Sequence, residues 1–199
     1  MKTDKLITIA SLVLVINAAY AVGNLLVGVS ESSWWFITLG IYYIILSTMR
    51  LTVIIMSRKV RSGITSKYVG VMLMVTAIPL LGIVFLCFVR EVGNRFNEII
   101  MIAMAAYAFT KITLAVINLI KVRRTSSEVE KSLRNISLAD ALVSIASLQR
   151  SMLVSFGEMA EADIRLFNVL TGAGVSVLIF LLGLNLAIGI KKNKKSEIQ

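Results

Sequence analysis

The chain has 199 residues, 57% of them hydrophobic, with one proline, one cysteine, no histidine and a formal net charge of +10. A soluble domain of this length cannot bury so much apolar sequence, and without histidine the commonest transition-metal ligand is missing. The lone Cys87 excludes a disulfide framework and a thiolate metal cluster, and it reads as a small apolar packing residue.

Six apolar stretches fall at about 6–29, 34–56, 68–89, 99–120, 136–156 and 166–190. A helix rising about 1.5 Å per residue needs roughly 20 residues to cross about 30 Å of hydrocarbon, which each stretch supplies. The prediction is therefore all-α: a polytopic membrane protein, a six-transmembrane-helix bundle forming one domain over 1–199, with a basic tail at 191–199. The first segment is too long for a signal-peptide h-region and is expected to be retained. The second follows the tight polar turn 30–33 and opens with Trp34 and Trp35, suited to an interfacial aromatic belt. It returns to a basic stretch in which Gly63 is expected to break the helix. The third holds Pro79 near its middle, where a packing kink is expected. Capping-box patterns at Thr125 to Glu128 and Ser127 to Glu130 predict that the fifth helix starts near Ser127 and continues to about Phe156.

Basic residues crowd alternate connections: Lys2 and Lys5, residues 58–67, residues 121–134 and the tail 191–195. That side carries 15 bases against four acids, and the other connections carry three bases against six acids. This is the positive-inside pattern at every loop, so both termini are expected to be cytoplasmic in a multi-pass plasma-membrane protein. The basic tail suits anionic headgroups at the cytoplasmic face of the lipid bilayer. The same distribution argues against nucleic acid as the partner.

Four ionisable residues lie inside the expected spans: Arg50, Lys111, Asp140 and Arg150. Charge at that depth is costly and marks a functional-site candidate. Asp140 heads a helical face with Ser144, Ser147, Ser151 and Ser155, at spacings of four, three, four and four. Asn17, Ala21, Asn24 and Gly28 form a second small and polar stripe. Asn168, Thr171, Gly172, Ser176, Gly183 and Asn185 do so on the last helix. Counted from the inner helix ends, Lys111 and Asp140 differ by roughly 9 Å in depth, within reach of a lysine stem. Arg50 is the competing partner, and Arg150 is expected to reach Glu158 or Glu91. Asp140 is thus expected to pair with Lys111 or Arg50 in a polar cluster.

Asn17-x-x-Tyr20 followed by Gly28 and Ser32-Ser33, together with Ser137-Leu-Ala-Asp140-Ala-Leu-x-Ser144-Ile-Ala, resembles the membrane domain of the cation diffusion facilitator family. The resemblance implies six spans with both ends inside, and a fifth-helix aspartate that serves the family as a metal ligand. This chain departs from the pattern. Its second helix has no acid, the position four before Asp140 is Ile136, and the histidine-bearing domain that follows the sixth helix in the family is expected to be missing. A tetrahedral zinc site needs about four ligands. Neither a metal site nor any cofactor is expected, and Tyr42, Tyr43 and Arg50 stand where the ligands would be.

Two functions follow from these residues. One is a secondary transporter of a small solute or ion, its path lined by Asn17, Asn24, Tyr42, Lys111, Asp140 and Ser144, with Lys111 and Arg50 suited to an anionic or zwitterionic solute. The other is a non-transporting membrane partner, sensor or scaffold. The frame and the small-residue faces favour a homodimer. With no histidine base, nucleophile elbow, phosphate loop or close carboxylate pair, an enzyme and catalytic residues are not expected.

Overall fold

The computed structural model describes residues 2–59, 62–90, 98–121, 128–156 and 159–196. They form six α-helices: α1 (Lys2–Ser30), α2 (Trp34–Lys59), α3 (Ser62–Arg90), α4 (Glu98–Lys121), α5 (Glu128–Phe156) and α6 (Glu161–Ser196). There is no strand among the described residues. Four helices are long and apolar enough to cross a membrane, over Ile7–Ser30, Trp34–Ser57, Thr65–Gly82 and Glu161–Ile188. The apolar stretch of α4 is shorter, Ala108–Ile117. In α5 the serine face and the charges of Lys131, Arg134, Asp140 and Arg150 dilute the apolar sequence.

Helix α1 ends in a Schellman turn. The Ser33 N–H donates to the Gly28 carbonyl at 2.9 Å and the Ser32 N–H to the Val29 carbonyl at 3.4 Å. Ser32 takes the left-handed position that closes this motif, with φ of 50°. The Ser33 carbonyl then accepts from the Ile37 N–H at 3.2 Å, which starts α2 at once. The resulting α1–α2 hairpin packs tightly: a Cβ on Gly28 would lie 2.7 Å from the Ile37 nitrogen. Helix α3 runs continuously through Pro79. Gly63 is the second residue of α3 and does not break it. Residues 60 and 61, between α2 and α3, lie outside the described residues. Ser127 also lies outside them, and α5 is described from Glu128.

Helix α5 packs against α2, α3, α4 and α6, and it is the hub of the bundle. The core between these helices is built from Leu39, Leu46, Met49, Leu73, Ile136 and Ile179, all at most 1% exposed. On the opposite edge α3 lies against α6 with backbones in close approach at Gly70 and Gly183. A Cβ on Gly183 would meet the Gly70 carbonyl oxygen at 2.6 Å. The outward faces are apolar. On α1, Leu12, Val15, Val22, Leu26 and Val29 are exposed, while Asn17, Ala21, Asn24 and Gly28 are buried on the inner side. An outside of leucine and valine with asparagine within suits a hydrocarbon solvent rather than water. The small and polar face of α6 is mixed: Gly172, Ser176 and Gly183 are buried, but Asn185 is exposed.

Candidate functional site

The serine face of α5 turns inward, and Asp140, Ser144, Ser147 and Ser151 are all buried. Asp140 is 2% exposed, and each of its carboxylate oxygens is engaged. Oδ1 accepts a hydrogen bond from Lys111 Nζ of α4 at 2.6 Å. Oδ2 accepts from Asn17 Nδ2 of α1 at 2.9 Å and lies 3.8 Å from Arg50 Nη2 of α2. Lys111 and Arg50, weighed from depth alone as competitors, therefore share one carboxylate. Arg50 also donates to Ser137 Oγ at 3.4 Å, and Ser137 donates to the Leu133 carbonyl at 3.0 Å. Four helices converge on one acid.

Around the ion pair stands an aromatic wall. The Lys111 ammonium lies 4.5 Å from the ring centroid of Tyr43 and 5.4 Å from that of Tyr20. The two rings meet edge to face, with centroids 4.9 Å apart. Where water is excluded, such cation–π contacts are worth about 2 kcal/mol. Ser144 Oγ donates to the Asp140 carbonyl at 2.9 Å. Because a serine hydroxyl has one proton, the 3.0 Å contact between Tyr43 Oη and Ser144 Oγ must be donated by the tyrosine. Tyr43 is thus fixed at both ends, its face toward Lys111 and its hydroxyl toward α5.

The other expected residues are placed differently. Asn24 bonds within its own helix, donating to the Tyr20 carbonyl at 2.7 Å. Tyr42 is buried with its ring edge-on to Tyr43, centroids 5.7 Å apart, and its hydroxyl has no partner among the described residues. Arg150 stacks its guanidinium 4.7 Å from the ring centroid of Trp35. Glu91 and Glu158, the acids expected for it, lie outside the described residues. Tyr20 and Ser137 join the site from outside the expected path, and Tyr43, expected where the family's ligands would be, stands against Lys111. Tyr43 and Arg50 are seven apart, as are Asn17 and Asn24, so one helical face carries each group. That periodicity was the available signal.

Among the described residues no three of His, Cys, Asp and Glu come together. Asp140 has bases, an amide and hydroxyls for neighbours, a set made to hold negative charge in place rather than a divalent cation. No protein-family model matches the chain, and no curated protein matches it.

Proposed function

We propose that this chain is a small secondary transporter, and that its working element is the carboxylate of Asp140 held between Lys111 and Arg50. One observation carries the reading: a single acid on α5 anchors two cations and an asparagine from three other helices, in the interior of a bundle whose outside is apolar. Packing helices together does not require charges, and a buried pair is often no more stabilising than an apolar one. An ion pair whose members sit on separate helices can act as a latch. Protonation of Asp140 removes its attraction for both bases and changes the relative stability of two helix arrangements.

The reading includes six membrane crossings, α4 and α5 among them, in a multi-pass protein of the plasma membrane. The charge distribution along the connections supports cytoplasmic termini. It also supports anionic headgroups as the partner of the basic tail. A homodimer belongs to the same reading through the family-like frame, since the small-residue faces of α1 and α6 pack mostly within the chain. The frame would be similar to that of the cation efflux family, with bases and tyrosines in place of metal ligands.

Proteoliposomes loaded with a pH-sensitive dye test the latch. Wild-type protein is expected to pass protons under an imposed pH gradient, and Asp140→Asn to lose most of that flux. Equal flux in the two proteins, or none above protein-free vesicles, removes the mechanism.

A further inference from the structure

Lys111 stands near the middle of its helix. The nearer end of α4, Lys121, is ten residues away and so about 15 Å along the axis, farther than a lysine stem reaches. While α4 keeps its place, the stem alone cannot deliver the ammonium to water. Its anion is Asp140, and that attraction ends when the carboxyl takes up a proton. An ammonium without an anion in a water-poor interior loses its charge, leaves, or is held by neutral groups. Here the neutral groups are rings. Tyr43 and Tyr20 already stand 4.5 Å and 5.4 Å from the ammonium, and the pull of a ring face on a cation does not depend on the charge of a neighbouring acid.

The attitude of the Tyr43 ring is fixed from several sides. The residue is 1% exposed. Tyr20 and Tyr42 meet its ring nearly at right angles, at 88° and 80°. Its hydroxyl donates to Ser144, and Ser144 donates to the backbone carbonyl of Asp140 itself. A circuit closes: from the Asp140 carboxylate to the Lys111 ammonium, to the ring and hydroxyl of Tyr43, to Ser144, and back to the Asp140 backbone. Protonation weakens the carboxylate–ammonium link and leaves the other links as they are. We propose that Tyr43 is the seat of the Lys111 ammonium while Asp140 is neutral. Tyr43 is then a positioning residue of the latch: it keeps Lys111 charged and inside the bundle, beside the carboxylate to which it returns. The inference rests on Asp140 being the group that takes up the proton. It adds that the latch opens without expelling its lysine.

The test is nuclear magnetic resonance of the purified full-length chain in detergent, its lysines isotopically labelled at the ε-carbon. The resonance that Lys111→Met removes is that of Lys111. Protons over an aromatic face are shifted upfield, so in wild-type protein this resonance is expected upfield of the other lysines. Asp140→Asn, which mimics the protonated acid, is expected to keep the upfield shift. Tyr43→Phe keeps the ring without the hydroxyl and should retain most of the shift, whereas Tyr43→Leu should lose most of it. In proteoliposomes Tyr43→Phe should likewise keep the proton flux that Tyr43→Leu loses. No upfield shift in wild type, its collapse in Asp140→Asn, or a shift unchanged in Tyr43→Leu overturns the proposal. If Asp140→Asn does not fold, the wild-type resonance is followed while acid protonates Asp140, read by the infrared band of its buried carboxyl. A shift that vanishes as that band appears then overturns the seat, and one that persists supports it. A shift that survives neutralisation of Asp140, without flux in wild type, sinks the transport reading alone. Flux together with a shift that collapses on neutralisation sinks the seat alone.

Discussion

Asp140 holds two bases at once, so its removal differs from the loss of one ordinary contact. Asparagine at this position leaves Lys111 and Arg50 buried with no shared counter-charge, and breaking a buried pair from one side costs about 3–5 kcal/mol. Asp140→Asn is therefore expected to lower the unfolding midpoint in detergent strongly. The double replacement Asp140→Leu with Lys111→Leu should cost less than the sum of its two single changes, because Lys111 is then no longer left charged without its acid, while Arg50 loses its counter-charge in both Asp140 variants alike. Denaturant unfolding of the four proteins checks this, and strictly additive losses would show that the 2.6 Å contact carries no coupling. The acid and its two bases were visible in the sequence because charge inside an apolar run is rare. Their simultaneous engagement was not visible. Depth follows from counting residues, but rotation about the helix axis, which decides which side chains meet, does not. Tyr43 was expected near the site but its contacts were not, because in a span made of apolar residues a tyrosine looks like packing until its hydroxyl is seen on Ser144.

Among the helices, glycine sets the close backbone approach of α3 and α6. Gly183 and Gly70 let α6 and α3 approach until a side chain on either would strike backbone. Gly183→Val is expected to cost about 1–3 kcal/mol through forced separation of the two helices. Gly174, on the same helix, has nothing within 4 Å of its position. Gly174→Ala should therefore be neutral, or stabilising by up to about 1 kcal/mol through helix propensity. Thermal unfolding of the two variants side by side separates close packing from propensity, and equal losses would contradict the geometry. The small stripe of α1 was legible because four inward positions recur at helical spacing, and all four are buried. The stripe of α6 was only partly so, since Asn185 repeats the pattern yet faces outward. Helix α5 shows the limit of hydropathy: its serines and charges belong to the inside of the bundle, and a composition average cannot tell an inner face from an outer one.

At the scale of the molecule, the alternation of charge along the connections predicts a topology that labelling can read. In a Cys87→Ala background, Glu31→Cys in the α1–α2 turn should react with a membrane-impermeant thiol reagent applied outside intact cells. Lys194→Cys should react only after permeabilisation. Reaction of both from the same side would refute the six crossings, because the two sites are separated by an odd number of spans in that arrangement. The hairpin turn itself was anticipated from its four polar residues. Its left-handed Ser32 was not, because serine gives no signal for a conformation that glycine adopts more readily.

The position of Lys111 on α4 and Asp140 on α5 also bears on how the chain is assembled. On the six-span reading, α5 enters the bilayer with a carboxyl that has no partner within its own helix for a turn in either direction. Its neutralising ammonium arrives on the helix made just before it, and the amide of Asn17 on the first helix made. The growing chain thus offers the two bases before the acid. On that reading α5 is less costly to insert as the second arm of a pair, and the order of synthesis supplies its partner first.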